Sequence, residues 1–264
     1  MLKKYYIFWR TVIADFNRNR CFSKAASLAY TTLLSLVPLL TVSFSVLSAF
    51  PVFKGLSAKM QGFIFQNFVS GAAETVQQHL QEFVEQTAKL PVLGLLFLVS
   101  TAVFLVFSME QAFNEIWQIK KRRKDIPAFL IYWGVITFVP ILVAIGITLS
   151  TYFFGPMFSP KVAFLSFIEP YFVAYLAFTL LYIALPNCKV QIKYALIAAI
   201  PTALLFELAK FGFTFYIAAF PTYKLIYGAL ATVPIFLIWL YITWLIILFG
   251  VVVNYALVKK NYKS

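Results

Sequence analysis

Charge is scarce in this sequence, and negative charge scarcest. Only 12% of its 264 residues are Asp, Glu, Lys or Arg, and nine of those are acidic. Soluble domains carry roughly twice that charged fraction. There is one histidine, His79, and there are two cysteines, Cys21 and Cys188. A single histidine cannot build a His-rich metal site, and no His-x-x-x-His or Cys-x-x-Cys pattern occurs. Neither cysteine lies near His79 in the expected topology, which removes a Cys–His nucleophile. No Walker loop and no dinucleotide fingerprint is present. The expectation is a protein with no metal, no cofactor and no enzymatic activity.

What fills the chain instead is apolar surface: 62% of the residues are hydrophobic. A water-soluble core could not cover that much, so lipid has to serve as part of the solvent. A spanning helix needs ~20 mostly apolar residues, and six segments qualify. They are Ala25–Phe50, Pro91–Glu110 (continuing as helix to about Gln118), Ile126–Phe154, Phe167–Leu185, Tyr194–Ala219 and Leu230–Val258. The first is too long for a signal-peptide core and reads as an uncleaved span. Pro51, Pro91, Pro127, Pro186 and Pro221 mark span ends, while Pro38, Pro140, Pro201 and Pro234 fall inside spans and predict kinks.

The fold class expected is therefore an all-α membrane protein, a six-transmembrane-helix bundle. Residues 1–264 form a single integral membrane domain with a basic N-terminal stretch, 1–24, and a tail, 259–264. The 22 basic residues orient it. Sixteen precede span one (Lys3 to Lys24), follow span two (Lys120, Lys121, Arg122, Arg123 and Lys124), follow span four (Lys189 and Lys193) or follow span six (Lys259, Lys260 and Lys263). Five lie on the opposite side: Lys54, Lys59, Lys89, Lys161 and Lys224. By the positive-inside rule the sixteen face the cytoplasm of a bacterial inner membrane, and six spans put both termini there. Both cysteines then lie near the reducing face, which argues against a disulfide. The Lys120–Lys124 run is expected to contact anionic lipid headgroups, at ~1 kcal/mol per residue. Membrane lipid explains these basic loops more economically than nucleic acid, which is not an expected partner. Trp117, Tyr132, Trp133 and Tyr152 sit near span ends, as in interfacial belts.

The segment 54–90, between spans one and two, is too polar to span. Leu56, Met60, Phe63, then Val76, Leu80, Phe83 and Val84 recur at helical spacing. It reads as an amphipathic helical segment on the outer surface, either a cap or a gate over a cavity.

Polar residues inside spans are the informative ones. Span one carries Ser27, Thr31, Ser35, Pro38, Thr41, Ser45 and Ser48, which at ~100° per residue share one face. Such a face either packs on a neighbouring helix or lines a wet cavity. Span five carries Ala195, Ala199 and Ala203, then Glu207, Lys210 and Thr214, again on one face. The alanines have the small-xxx-small spacing that lets helices approach. Glu207 continues the row, ~20 Å into the span, and Lys210 is within reach for an ion pair. That pair either holds helices in register or contacts a substrate or ion. Glu110 and Asn114 lie one turn apart near the cytoplasmic end of span two, where Glu115 could offset Lys120 to Lys124. Asn254, one turn past Gly250, is expected to hydrogen-bond between helices.

Three runs resemble the YihY/BrkB family of bacterial inner-membrane proteins. The first is Ala26-Ser27-Leu28-Ala29-Tyr30-Thr31-Thr32-Leu33-Leu34-Ser35-Leu36-Val37-Pro38. The second is Met109-Glu110-x-Ala112-Phe113-Asn114-x-Ile116-Trp117. The third runs from Tyr227-Gly228-Ala229 through Trp239-Leu240-Tyr241 to Gly250. After Gly250 the family pattern favours Ala-Glu, whereas this chain has Val251-Val252. The resemblance implies a protein with a historical ribonuclease BN label, a serum-resistance association and a suggested transport or lipid-export role. A ribonuclease would need cytoplasmic carboxylates or histidines around a metal, and the cytoplasmic segments are short and basic. The function expected is transporter-like or lipid and envelope handling around Glu207 and Lys210, the alternative a non-transporting membrane scaffold. Expected partners are membrane lipids, with anionic headgroups at the cytoplasmic face, and a lipid or small-molecule substrate.

Overall fold

The computed structural model describes residues 2–49, 92–119, 163–219 and 232–261. Among the described residues all regular structure is helical. Six helices are seen: α1 (Leu2–Arg18), α2 (Cys21–Ala49), α3 (Val92–Ile116), α4 (Ala163–Ala184), α5 (Ile192–Ala219) and α6 (Thr232–Asn261). Five correspond to expected spans, with ends within a few residues of where apolar sequence gives way to polar. Span three, the segment 54–90 and the Lys120–Lys124 run lie outside the described residues.

Most of the basic N-terminal stretch is a helix, α1, and α2 begins at Cys21 rather than Ala25. The break between them is a tight turn in which Arg20 adopts a positive φ of 51°. The Asn19 amide N–H and its side-chain Nδ2 both donate to the Asp15 carbonyl, at 3.0 and 2.7 Å. They satisfy a carbonyl that the end of α1 would otherwise leave open. α3 stops in the same manner. Gln118 has φ 58°, and the Ile119 N–H reaches back to the Asn114 carbonyl at 2.9 Å, a Schellman-type closure.

α6 is the hub. It packs against each of the other five helices, and it is apolar all round, as a surrounded helix must be. α2 packs on α3 and α6, and α5 packs on α4 and α6. Pro234 falls in the first turn of α6, where its missing N–H breaks no helical bond, so no kink arises there. Pro201 lies inside α5. The core gathers Leu28, Phe113, Tyr182, Phe206, Trp239 and Val252 with the alanines of α5. Val251 and Val252, where the family pattern has Ala-Glu, are almost wholly buried in apolar surroundings.

Cross-links between helices set their direction. Lys24 Nζ on α2 lies 2.9 Å from Glu115 on α3. The Asn187 N–H, in the α4–α5 turn, donates to Asn114 Oδ1 at 2.7 Å. Trp117, expected in an interfacial belt, packs edge-on against Tyr255 of α6 at 5.7 Å. One end of the bundle therefore collects the start of α2, the end of α3, the α4–α5 turn and the end of α6. Lys24, Lys189, Lys193 and Lys259 belong to those segments. The flanks are a different surface. Phe104, Phe172, Leu204, Leu208 and Phe215 are exposed, and Phe211 is 76% exposed. Among the described residues, two helical stretches, Ile192–Ile217 and Val233–Lys259, are long and apolar enough to cross a membrane.

Candidate functional site

Lipid offers no hydrophobic drive between helices, so close backbone approach and interhelical hydrogen bonds hold them together. On α5 the row Ala195, Ala199 and Ala203 is fully buried. Beyond it the covered face begins to open. Lys210 Nζ lies 2.7 Å from Glu207 Oε1, and the two side chains are 14% and 26% exposed. The Lys210 ammonium also sits 5.4 Å from the centre of the Phe206 ring. Thr214, one turn further, is exposed and donates to the Lys210 carbonyl at 2.9 Å. The ion pair thus stands at the rim of the packed face rather than inside it. It is closed within one helix, above a wall of Phe206, Phe178, Phe213 and Trp239 whose rings contact one another.

The polar face of α2 leads elsewhere. Ser35 is buried and its hydroxyl donates to the Thr101 carbonyl of α3 at 3.0 Å. Thr31 turns back on its own helix and donates to the Ser27 carbonyl at 2.9 Å. The side chains of Pro38, Thr41, Ser45 and Ser48 lie outside the described residues. α6 stands between α2 and α5, contacting both. The structure therefore joins Ser35 to α3, and joins Glu207 to Lys210, without merging the two faces among the described residues.

Glu110 and Asn114 do come together. Asn114 Nδ2 donates to Glu110 Oε1 at 3.2 Å while its Oδ1 accepts from the Asn187 N–H. Glu110 is only 5% exposed. One amide side chain thereby bridges a buried carboxylate and the α4–α5 turn. Glu115, one residue on, pairs with Lys24, whose ammonium also donates to the Asn19 carbonyl at 2.5 Å. Burial raises the Glu115 carboxyl, but the Lys24 and Gln111 hydrogen bonds and the Lys24 charge outweigh it and hold the group below its ordinary range.

Sequence reasoning missed the most crowded junction. Tyr182 Oη of α4 lies 3.1 Å from Thr202 Oγ1 of α5 and 3.2 Å from the Ile247 carbonyl of α6. Thr202 donates its own hydrogen to the Ala198 carbonyl at 2.8 Å, so the phenolic hydrogen is shared between two acceptors. A Cβ at Gly250 would overlap both hydroxyls. The only signal for this in the sequence is a lone glycine in a long apolar helix. Thr32, outside the expected stripe, accepts from Trp244 Nε1 at 2.9 Å and ties α2 to α6. Asn254 is fully buried, and neither its Nδ2 nor its Oδ1 finds a hydrogen-bond partner among the described residues. The expected interhelical bond is not made there.

Apolar flanks and a central apolar helix, with regular structure that is helical throughout the described residues, mark a helical membrane protein. Residues 12–264 match the family model described as "Virulence factor BrkB", and the chain belongs to that family. A UPF0761 membrane protein of Legionella pneumophila (strain Corby) is 41% identical over 252 residues, covering 94% of this chain and 61% of the relative. One from Alkalilimnicola ehrlichii is 43% identical over 253 residues, covering 93% and 57%. One from Pseudomonas aeruginosa (strain LESB58) is 42% identical over 251 residues, covering 93% and 61%. The chain spans about three fifths of the length of these curated relatives. No solved structure matches it.

Proposed function

We propose that this chain is a six-span protein of the bacterial cytoplasmic membrane, with both termini in the cytoplasm, that handles a lipid or small polar solute beside Glu207 and Lys210. The observation that carries the reading is the ion pair itself. An ionisable residue deep in a span costs at least ~2.5 kcal/mol on insertion scales. Here a carboxylate and an ammonium sit together on an otherwise apolar helix, at the edge of its packed face and partly open. A partly uncovered pair can exchange its internal partner for a charged headgroup or solute.

The test is lipid exchange in proteoliposomes with a fluorescent phosphatidylglycerol as probe and an impermeant quencher outside. The wild-type chain is expected to speed exchange, and Glu207→Gln to abolish that gain with an unchanged unfolding midpoint. Equal rates in Glu207→Gln and wild type would rule out a working role for the carboxylate.

A second reading is a scaffold that uses the pair only for register. Its support is that the pair is closed at 2.7 Å within one helix. The swapped variant Glu207→Lys/Lys210→Glu separates the two. A scaffold tolerates reversal of an internal pair, whereas a site that meets a ligand of fixed charge does not.

A further inference from the structure

The N-terminal helix has three surfaces where a helix on a soluble protein has two. At ~100° per residue, Phe8, Val12 and Phe16 fall on one quarter of α1. Val12 is fully buried and the two phenylalanines pack on the core. The next quarter holds Trp9, Ile13 and Tyr6, and these are apolar yet open: Ile13 is 60% and Tyr6 67% exposed. Beyond it come Asn17, Arg10, Arg18 and Thr11, all exposed. Ile7 and Ala14 break the pattern, exposed among the polar residues.

The placement of α1 matters as much as its faces. Trp9 and Phe16, two turns apart, both meet the ring of Phe249, at 6.1 and 6.4 Å. Positions seven apart share one face of a helix, so this side of α1 is held against α6. The open apolar quarter does not end with α1. Phe16 packs edge-on against Phe22 of α2 at 5.2 Å, and Phe22 is itself exposed. All of this lies close to the end of the bundle where Lys24, Lys189, Lys193 and Lys259 collect. The charge is one-sided. Arg10, Arg18 and Arg20 are exposed, while Asp15, the one acidic residue of this stretch, is buried and paired with Arg18 at 2.7 Å.

We propose that α1 is an interfacial helix whose Tyr6–Trp9–Ile13 quarter seats in the headgroup–acyl boundary of an anionic bilayer, with Arg10, Arg18 and Arg20 at the phosphates. An apolar face with a basic border is what an anionic membrane surface recognises, and Trp and Tyr favour that depth. A protein partner would not require the positive border. The proposal rests on the chain being a membrane protein and goes beyond the site at Glu207.

The test uses the full chain in lipid nanodiscs, spin-labelled one position at a time at Tyr6→Cys, Ile13→Cys, Thr11→Cys and Phe211→Cys. The background is Cys21→Ala/Cys188→Ser, and each variant is checked for an unchanged unfolding midpoint. Collision with oxygen, which concentrates in lipid, is compared with collision with a water-soluble nickel chelate. In phosphatidylcholine–phosphatidylglycerol discs, Tyr6 and Ile13 are expected on the oxygen side and Thr11 on the nickel side. In phosphatidylcholine discs the Tyr6 and Ile13 labels are expected to shift towards nickel. Nickel access at Ile13 equal to that at Thr11 would overturn the proposal, and so would shielding of Ile13 from both reagents, which means that protein or a second copy covers it. An unchanged depth without phosphatidylglycerol would overturn the anionic preference. The Phe211 label separates this from the larger reading: nickel access there would remove the membrane-spanning bundle and α1's bilayer with it.

Discussion

Gly250 is the position where one atom decides most. Elsewhere in a helix interior, Gly→Ala gains about 1 kcal/mol from helix propensity. Here the new methyl would enter the space of the Tyr182 and Thr202 hydroxyls. Forcing a carbon into a packed core costs about 1–3 kcal/mol. The shared phenolic hydrogen bond adds to that, since interhelical bonds in membranes average ~0.6 kcal/mol. Gly250→Ala is therefore expected to lower the unfolding midpoint in detergent. In a Tyr182→Leu/Thr202→Ala background the same change should cost clearly less, because both obstructing hydroxyls are gone. Equal costs in the two backgrounds would mean that the clash is relieved elsewhere.

The Lys24–Glu115 pair is a residue-scale contact with a pH signature. The Glu115 carboxyl is held below its ordinary value in the folded chain. A depressed carboxylate contributes stability that is fully present above its unfolded pKa, and that is lost as pH falls through the folded one. The Glu115 side chain is about half exposed, so the contribution is that of a surface pair, about 0.2–1 kcal/mol. Glu115→Gln should be less stable than wild type by that amount at neutral pH. The two stability curves should converge as pH drops below the ordinary carboxylate range of about 4.3. Urea titrations at several pH values check this, and a constant gap across the range would assign the difference to shape rather than charge.

At the scale of elements, the long helices were readable because each is a long apolar run with polar or proline-marked ends. α1 was not readable that way. Its residues mix Lys and Arg with aromatics, and it was read only as a basic N-terminal stretch on the cytoplasmic side. Yet Phe8, Val12 and Phe16 recur every four residues, a helical period visible once charge is set aside. The small-residue row of α5 was legible, because spacing alone puts Ala195, Ala199 and Ala203 on one face, and that face is buried. What a helical wheel cannot supply is the partner. On α2 the buried Ser35 bonds to the backbone of α3, while on α5 the Glu207–Lys210 pair closes within its own helix. Glu115 pairs with Lys24, a partner on another helix that no spacing along α3 could indicate.

For the whole molecule, the decisive quantity is orientation, and the chain carries its own reporter. Cys21 is fully buried, and burial, only partly opposed by the Lys24 charge, pushes its thiol up to about 11. At pH 7 about one in ten thousand such groups is thiolate, the reactive form. Cys188 is exposed in the α4–α5 turn, next to Lys189 and shortly before Lys193 at the start of α5. A membrane-impermeant maleimide should therefore label wild-type chain at one site, and Cys188→Ser should abolish the label. The proposed orientation, which rests on the sixteen-to-five division of basic residues, has that turn facing the cytoplasm. Labelling is then expected in inverted membrane vesicles and not in intact spheroplasts. Because Lys24, the end of α3, the α4–α5 turn and Lys259 share one end of the bundle, a single accessible thiol orients all of them together. Labelling from outside the cell would reverse the whole bundle at once, and would move the basic border of α1 to the opposite leaflet.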